Sequence, residues 1–554
     1  RFPVSGSVLP PTLAPASGSP LAVPRRITPR RHGNELVFGL IAAVAVLAAA
    51  CSTTTQVSGP REIDAPTAPA SEPVFDPTPT VPPTSPPVPT VAPTATPIPE
   101  PAATPTPVPA PTPVPTPRPE GPCDAGPLAV PNPDRPVYTA FIDVDPPTGQ
   151  VDGEVSVLFE PDLAIDELYL RLWPNGPRPA AGGVSMELSN VELGMPDGQY
   201  VSVPELELVN PTTVRIALPA TVQPGQEITA AATFIMDIPA ELNSRISGRQ
   251  DYLRLGTMLP ILPWEPGRGW ATDQATSLFA ESVSSPVADY TVRVRVPDGY
   301  NVLASGVADP DVSDDTLGFS EQIWRVEAAR DFSLSIGRFR TVTGTAMAPE
   351  AVVVTVGVHE TIDDNPQVYL DKIIDSLEQF SNRWGQYPWP SLTFAVTPNL
   401  SGGIEFPTHI QQGPNTQGRV TSHEVGHMFF YSLVGNNQGA APWLDEGLTS
   451  YAEFTYEGTP ANNFEIPAAG IGNATQPMTF WESQADIYYR SVYAQTGFAL
   501  QQLGSQIDVD CALARYVAQN AHQIATAEDF ITAFEPTFPD IVNQMTALGV
   551  NLDN

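Results

Sequence analysis

Lysine is almost missing from this sequence: Lys372 is the only one in 554 residues, and 26 basic side chains stand against 61 acidic ones. The net charge of −35 argues against nucleic-acid binding through a basic face. It reads as solubility in an external medium rather than as the mark of a cationic substrate. Cysteine is nearly as scarce. Cys51, Cys123 and Cys511 are too few for a disulfide framework. Long apolar runs are short of membrane length, since the stretch Val37 to Ala50 covers fourteen residues where a spanning helix needs about 20. Histidine is rare too, with six in the chain, so two of them close together carry weight. Proline is the opposite case: there are 66, concentrated toward the front, and the globular part is therefore shorter than the whole.

Ahead of that apolar run stand Arg25, Arg26, Arg30 and Arg31, and it ends in Ala48-Ala49-Ala50-Cys51-Ser52. A positive n-region, a short h-region and small residues before a cysteine make a secretory signal. The segment resembles a bacterial lipoprotein signal, in which Cys51 is acylated and becomes the mature N-terminus, although Ala48 stands where that box prefers leucine. The expected location is extracytoplasmic, at the cell surface, with a lipid anchor at Cys51; an uncleaved N-terminal anchor is the alternative. From Ser52 to about Glu120 the chain is Pro, Thr, Ala and Val, which cannot bury a core and favours polyproline II. Such a spacer could hold a domain up to ~200 Å from a membrane. With Cys51 in the signal, Cys123 and Cys511 allow one disulfide, or stand as two unpaired thiols.

Residues 121–345 read as β. Leu168, Leu170 and Leu172 alternate with Tyr169 and Arg171; Tyr290, Val292, Val294 and Val296 alternate with Thr291, Arg293 and Arg295; and Phe332, Leu334 and Ile336 alternate with serines. No helical period intervenes, so an antiparallel sandwich or saddle is expected. From 346 to 554 the pattern becomes mixed. Tyr369, Ile373, Leu377, Phe380 and Trp384 mark a helix closed by Gly385, and Leu392, Phe394 and Val396 mark a strand leading into Ser401-Gly402-Gly403-Ile404-Glu405-Phe406-Pro407. The expected fold class is α+β and multidomain. The expected segments are 1–51 signal, 52–120 spacer, 121–345 β domain and 346–554 a mixed α+β domain.

The second half holds the chemistry. His423-Glu424-Val425-Gly426-His427 sets two imidazoles one helical turn apart with a carboxylate beside the first. Neutral imidazoles so placed suit zinc, leaving positions for a further carboxylate and a water that Glu424 can reach. The apolar run Met428 to Leu433 is expected to continue this helix, with Gly435 as its stop. In Trp443-Leu444-Asp445-Glu446-Gly447, eighteen residues separate Glu446 from His427, on a second helix with Pro442 suited to its first position. A third protein ligand there completes a His, His, Glu set.

With this spacing, the Trp-Leu-Asp-Glu-Gly segment, Gly402-Gly403-Ile404-Glu405-Phe406-Pro407 and Leu170-Arg171-Leu172-Trp173-Pro174-Asn175, the chain resembles the aminopeptidase N family of zinc peptidases, the gluzincins. The resemblance implies a β-saddle N-domain packed on a thermolysin-like α+β catalytic domain, one Zn²⁺ per chain and peptide substrates. It implies His423, His427 and Glu446 as metal ligands and Glu424 as general base. It also implies Tyr493 as donor to the oxyanion, with Thr496 where a glycine is usual and Tyr489 as the fallback. Glu405 would bind the substrate's α-amine, and Gly402 and Gly403 would let the backbone approach the peptide. Phe406-Pro407 departs from the asparagine often found after that glutamate. Up to Asn554 there is no counterpart of the family's large helical C-domain, from which a more open cleft is expected. Ser450 and Glu453 are candidates to support the ligands, while His409 and His359 read as structural or surface. The function expected is a surface-anchored zinc metallopeptidase removing N-terminal residues. A zinc endopeptidase, or a non-catalytic peptide-binding lipoprotein on a peptidase fold, are the alternatives.

Overall fold

Alternation builds the first half. In the strand Ala288–Pro297, Tyr290, Val292, Val294 and Val296 are buried and Arg293 is exposed, so a period of two separates a core face from a wet one. The computed structural model describes residues 125–552 apart from 279–283, 310–317 and 461–472; the expected signal, the spacer and Cys123 lie outside the described residues. Ala288–Pro297 belongs to an eight-stranded sheet whose order is Val307–Ala308, Phe319–Ala329, Ala288–Pro297, Val137–Asp145, Gln150–Phe159, Ile228–Asp237, Ser185–Gly194 and Tyr200–Val203. Its neighbours run antiparallel except for the interior pair Val137–Asp145 and Ala288–Pro297, which is parallel. The expected Leu168–Leu172 strand is Ile165–Arg171, in a three-stranded sheet with Thr213–Val222 and Glu207–Asn210. Where no helix is expected, Pro177–Ala181 adds one short turn started by its own proline.

A second sheet carries the other half. Its order is Phe339–Met347, Ala351–His359, Ser391–Val396, His409–Gln412 and Gly403–Phe406. Phe339–Met347 pairs antiparallel with Ala351–His359, so residues 345 and 346 lie within one strand. The next two pairings are parallel, and Gly403–Phe406 closes the edge antiparallel to His409–Gln412. The helix Pro366–Trp384 packs beside this sheet; Asn365 caps its start through the Gln367 amide, and Gly385, at φ 131°, ends it. It buries Tyr369, Ile373, Leu377, Phe380 and Trp384, the face read from the sequence. Trp384 meets Phe430 at 4.9 Å and Phe429 at 5.8 Å between ring centroids, which ties this helix to the histidine segment.

The histidine helix is shorter than the apolar pattern implies. It spans Arg419–Gly426 with His427 as its C-cap, and Gly435 lies in the short strand Gly435–Asn436 instead of closing the helix. Met428, Phe429, Phe430 and Leu433 are nonetheless fully buried. Consecutive bulky apolar residues cannot share one helical face, so the chain turns to give each a wall. Phe429 N–H bonds to Gly426 O, and Ser432 N–H to His427 O. Pro442 likewise begins a 3₁₀ turn, Pro442–Leu444, and the α-helix proper runs Glu446–Tyr456. The described elements belong to one unit, Pro109–Asn554. Among the described residues no helix is long and apolar enough to cross a membrane.

Candidate metal centre

Two helices and one edge strand build the site. Arg419–Gly426 brings His423 and Glu424, its C-cap brings His427, and Glu446–Tyr456 begins with Glu446. The helices approach closely because Gly426 carries no side chain; a Cβ there would lie 3.0 Å from Thr449 Cγ2 and 3.2 Å from Ala452 Cβ. His423 Nε2 and His427 Nε2 both face Glu446 Oε2, at 3.2 and 3.3 Å. Ligand atoms bound to one tetrahedral zinc at 2.0–2.2 Å stand about 3.3–3.5 Å apart, so these donors are spaced like corners of that coordination sphere. One nitrogen from each imidazole and a carboxylate oxygen, with a further position open, is a donor set that zinc accepts.

The other ring nitrogens face acids. His427 Nδ1 lies 2.6 Å from Asp445 Oδ1, whose second oxygen accepts from Gln438 Nε2 at 2.6 Å. His423 Nδ1 lies 3.1 Å from Glu453 Oε2. A proton shared on these sides leaves both Nε2 lone pairs for the metal and fixes each ring. The local field favours positive charge. Burial opposes charging His423, yet its hydrogen bonds with Glu446 and Glu453 push its pKa up to about 9. His427 is also raised, the charges of Glu405, Asp445 and Glu446 outweighing burial. Burial would raise Glu446, but the charge of His427 and hydrogen bonds from both imidazoles pull it down to about 2.

The edge strand Gly403–Phe406 lies across from the histidine helix. Ile404 and Phe406 pack away from the site with Leu400, and Gly403 and Glu405 share the opposite face. A Cβ on Gly403 would sit 2.4–2.5 Å from Glu424 Cγ, Cδ and Oε1, so the absence of a side chain there makes room for the Glu424 carboxylate. Carboxylate oxygens of Glu405 and Glu424 and a ring nitrogen of His427 lie within 4.8 Å of one another. Gly402, at φ +95°, turns the chain onto the strand in a conformation that glycine adopts readily.

Tyr493 stacks on His423, rings 11° apart at 5.7 Å, and its hydroxyl donates to Glu446 Oε1 at 2.5 Å. It sits in a π-helical stretch, Tyr489–Gln495, ahead of the α-helix Thr496–Leu503. Thr496 packs against Gly447, at the start of the helix Glu446–Tyr456. Tyr489, the fallback, is 44% exposed and accepts from Arg419 Nη2 at 2.7 Å. All eight residues expected at the site, Gly402, Gly403, Glu405, His423, Glu424, His427, Glu446 and Tyr493, line one cavity of about 580 Å³.

A scan against protein-family models matches none. Leukotriene A-4 hydrolase of Xenopus laevis is 24% identical over 369 residues, 60% of this chain and 58% of that protein, so the chain spans less than two thirds of this curated relative. The M1 zinc metallopeptidase of Deinococcus radiodurans superposes with a TM-score of 0.55 at 17% identity, covering 76% of this chain and 94% of its own. A substituted form of the same peptidase, bound to a Tyr-Ser-Ala substrate, matches equally, and a two-domain M1 zinc metallopeptidase bound to L-arginine matches with a TM-score of 0.52 at 18% identity. The fold is that of the M1 zinc metallopeptidases.

Within this M1 fold, the supporting residues are where sequence reading is least complete. Glu453 meets His423 as anticipated, but Ser450, on the same helix, lies against Gly497 instead of the imidazoles. Asp445 was missed. It precedes the helix Glu446–Tyr456, makes no cap bond there and spends its carboxylate on His427 and Gln438. An acid directly before a metal-ligand candidate is the signal that could have found it. His409 and His359 are structural: both are buried, His409 between Ser335 and Thr393, His359 against Thr361 and Asp251. Cys511, on the helix Gln506–Asn520, is disulfide-bonded; Cys123 is outside the described residues.

Proposed function

We propose that this chain is a zinc metallopeptidase of the M1 type, acting as an aminopeptidase. The observation that carries the reading is the convergence of His423, His427 and Glu446 at coordination spacing, with Glu424 and Glu405 on the same cavity. In this reading His423, His427 and Glu446 hold one zinc, which when bound supplies Lewis acidity that polarises a carbonyl and acidifies water. Asp445 and Glu453 keep the imidazoles in register. Glu424 takes the proton of the attacking water and returns it to the leaving amine. Tyr493 turns its hydroxyl from Glu446 toward the oxygen on which negative charge develops. Glu405 pairs with the substrate's protonated α-amine, and because the distance from amine to first carbonyl is constant, the enzyme counts from the N-terminus. Gly402 and Gly403 leave space for the peptide backbone.

The proposed layout is a signal with acylation at Cys51, the spacer 52–120, a β domain and a zinc domain, on the cell surface, with Cys123 paired to Cys511. The segments 1–51 and 52–120 support it by composition alone.

Hydrolysis of one peptide, free and Nα-acetylated, tests the specificity. Wild type should cleave the free peptide from its N-terminus and leave the acetylated one nearly untouched. Glu405→Gln should lose about 10- to 100-fold in kcat/KM on the free form, the ~1.5–3 kcal/mol of a charge-assisted hydrogen bond, and little on the acetylated form. Equal losses on both, or wild-type cleavage of acetylated peptide at interior bonds, would reject the aminopeptidase and favour the endopeptidase.

A further inference from the structure

Building on the reading of Glu405 as the amine-binding group, we propose that Arg254, assisted by Asn243, is a positioning residue for substrate. It fixes the loop 397–402 that delivers Gly403 and Glu405 to the pocket. The loop needs an outside hold. It leaves the strand Ser391–Val396 in the sheet interior and must pass over His409–Gln412 to reach the edge. Two left-handed residues, Asn399 at φ 51° and Gly402 at φ 95°, lie on its way.

Arg254 sits on the strand Tyr252–Leu255 in the β half and is fully buried. Its guanidinium donates to Thr397 Oγ1 at 2.9 Å, Pro398 O at 2.6 Å and Asn399 O at 3.2 Å, all in the loop. It also donates to Ser244 O at 3.1 Å and Leu242 O at 2.5 Å. A buried arginine is ordinarily matched by an acid; these five bonds all end on neutral oxygens, and burial lowers its pKa. The fork geometry is therefore used to bind backbone, and it locks the loop 242–244 onto the loop 397–399. Between those contacts Asn243 Nδ2 donates to Ser401 Oγ at 2.7 Å, and its Oδ1 accepts from Ser401 N–H at 2.9 Å. Tyr252 Oη adds a bond to Pro398 O at 3.1 Å. Ser401 immediately precedes Gly402-Gly403, and Glu405 follows two residues later, so slack in the loop reaches the carboxylate that would meet the amine.

The test uses Arg254→Lys, which keeps the charge and loses the fork, and Asn243→Ala, which removes both Ser401 bonds at a partly exposed site. Hydrogen exchange across residues 397–406 should quicken by about tenfold or more in each. KM for the free-amine peptide should rise by about three- to tenfold, with kcat within about twofold and zinc stoichiometric. Unchanged exchange in both variants, or a lowered melting temperature with KM intact, would overturn the proposal. Should wild type cleave free and acetylated peptides alike, the reading of Glu405 fails, and faster exchange in 397–406 would still support the grip on the loop while unchanged exchange would refute it.

Discussion

At the scale of single residues, the roles of neighbouring carboxylates separate by what each faces. Glu446 and Glu424 are both buried in the same cavity, but only Glu446 lies between the two Nε2 atoms. Replacing Glu424 should therefore leave metal affinity nearly intact while removing proton transfer. Glu424→Ala is expected to keep one zinc per chain and lose at least ~10²–10⁴-fold in kcat, whereas His423→Ala should lose the metal itself. Metal content and turnover, measured on the same samples, check both. A Glu424→Ala protein with zinc bound and turnover within tenfold of wild type would remove the general-base role.

At the scale of elements, the site is a matter of how near an edge strand and a helix can come. Gly403 sets that distance, since any Cβ would overlap the Glu424 side chain. Gly403→Ala is expected to fold and bind zinc yet lose about tenfold or more in kcat, because Glu424 must swing aside; unchanged kcat would mean that the carboxylate has room to spare. This scale also shows what the sequence makes legible. Strands with one wet face are readable, as Tyr290 to Val296 are, because burial imposes the period directly. The clustering of His423, His427 and Glu446 is readable because helical spacing and residue type coincide. The end of the histidine helix is not, because a run such as Met428 to Leu433 looks the same whether it continues a helix or turns inside a core. Nor is the grip of Arg254 on Pro398, since 144 positions separate them and neither residue type announces the contact. Asp445 was not legible either, because a helix expected to start at Pro442 hides the break that turns its carboxylate to His427.

At the scale of the whole molecule, buried histidines outside the site shape stability. Burial pushes His409 down to about 3, and burial with the nearby Arg330 charge pushes His522 down to about 4. Each is depressed below the ordinary value near 6.5, so the unfolded chain binds the extra proton and stability falls as pH drops from about 6.5 toward the folded pKa. Asp331 opposes them: burial raises it to about 7, so its contribution is present below about pH 4 and lost as pH rises through 7. His409→Asn should flatten the acid side by about 1.4 kcal/mol per pH unit between pH 6 and 4, read from denaturant unfolding at several pH values. A slope equal to wild type would mean that His409 charges without unfolding.

The central claim is that one zinc, held by His423, His427 and Glu446, makes this chain hydrolyse peptides. The most direct measurement is cleavage of an unblocked peptide by purified protein, before and after zinc removal with a chelator and after stoichiometric zinc is returned. The account predicts N-terminal cleavage that disappears with the metal and returns with one equivalent. Hydrolysis that persists in verified zinc-free protein, or zinc-loaded protein that binds peptide and cleaves none, would contradict it.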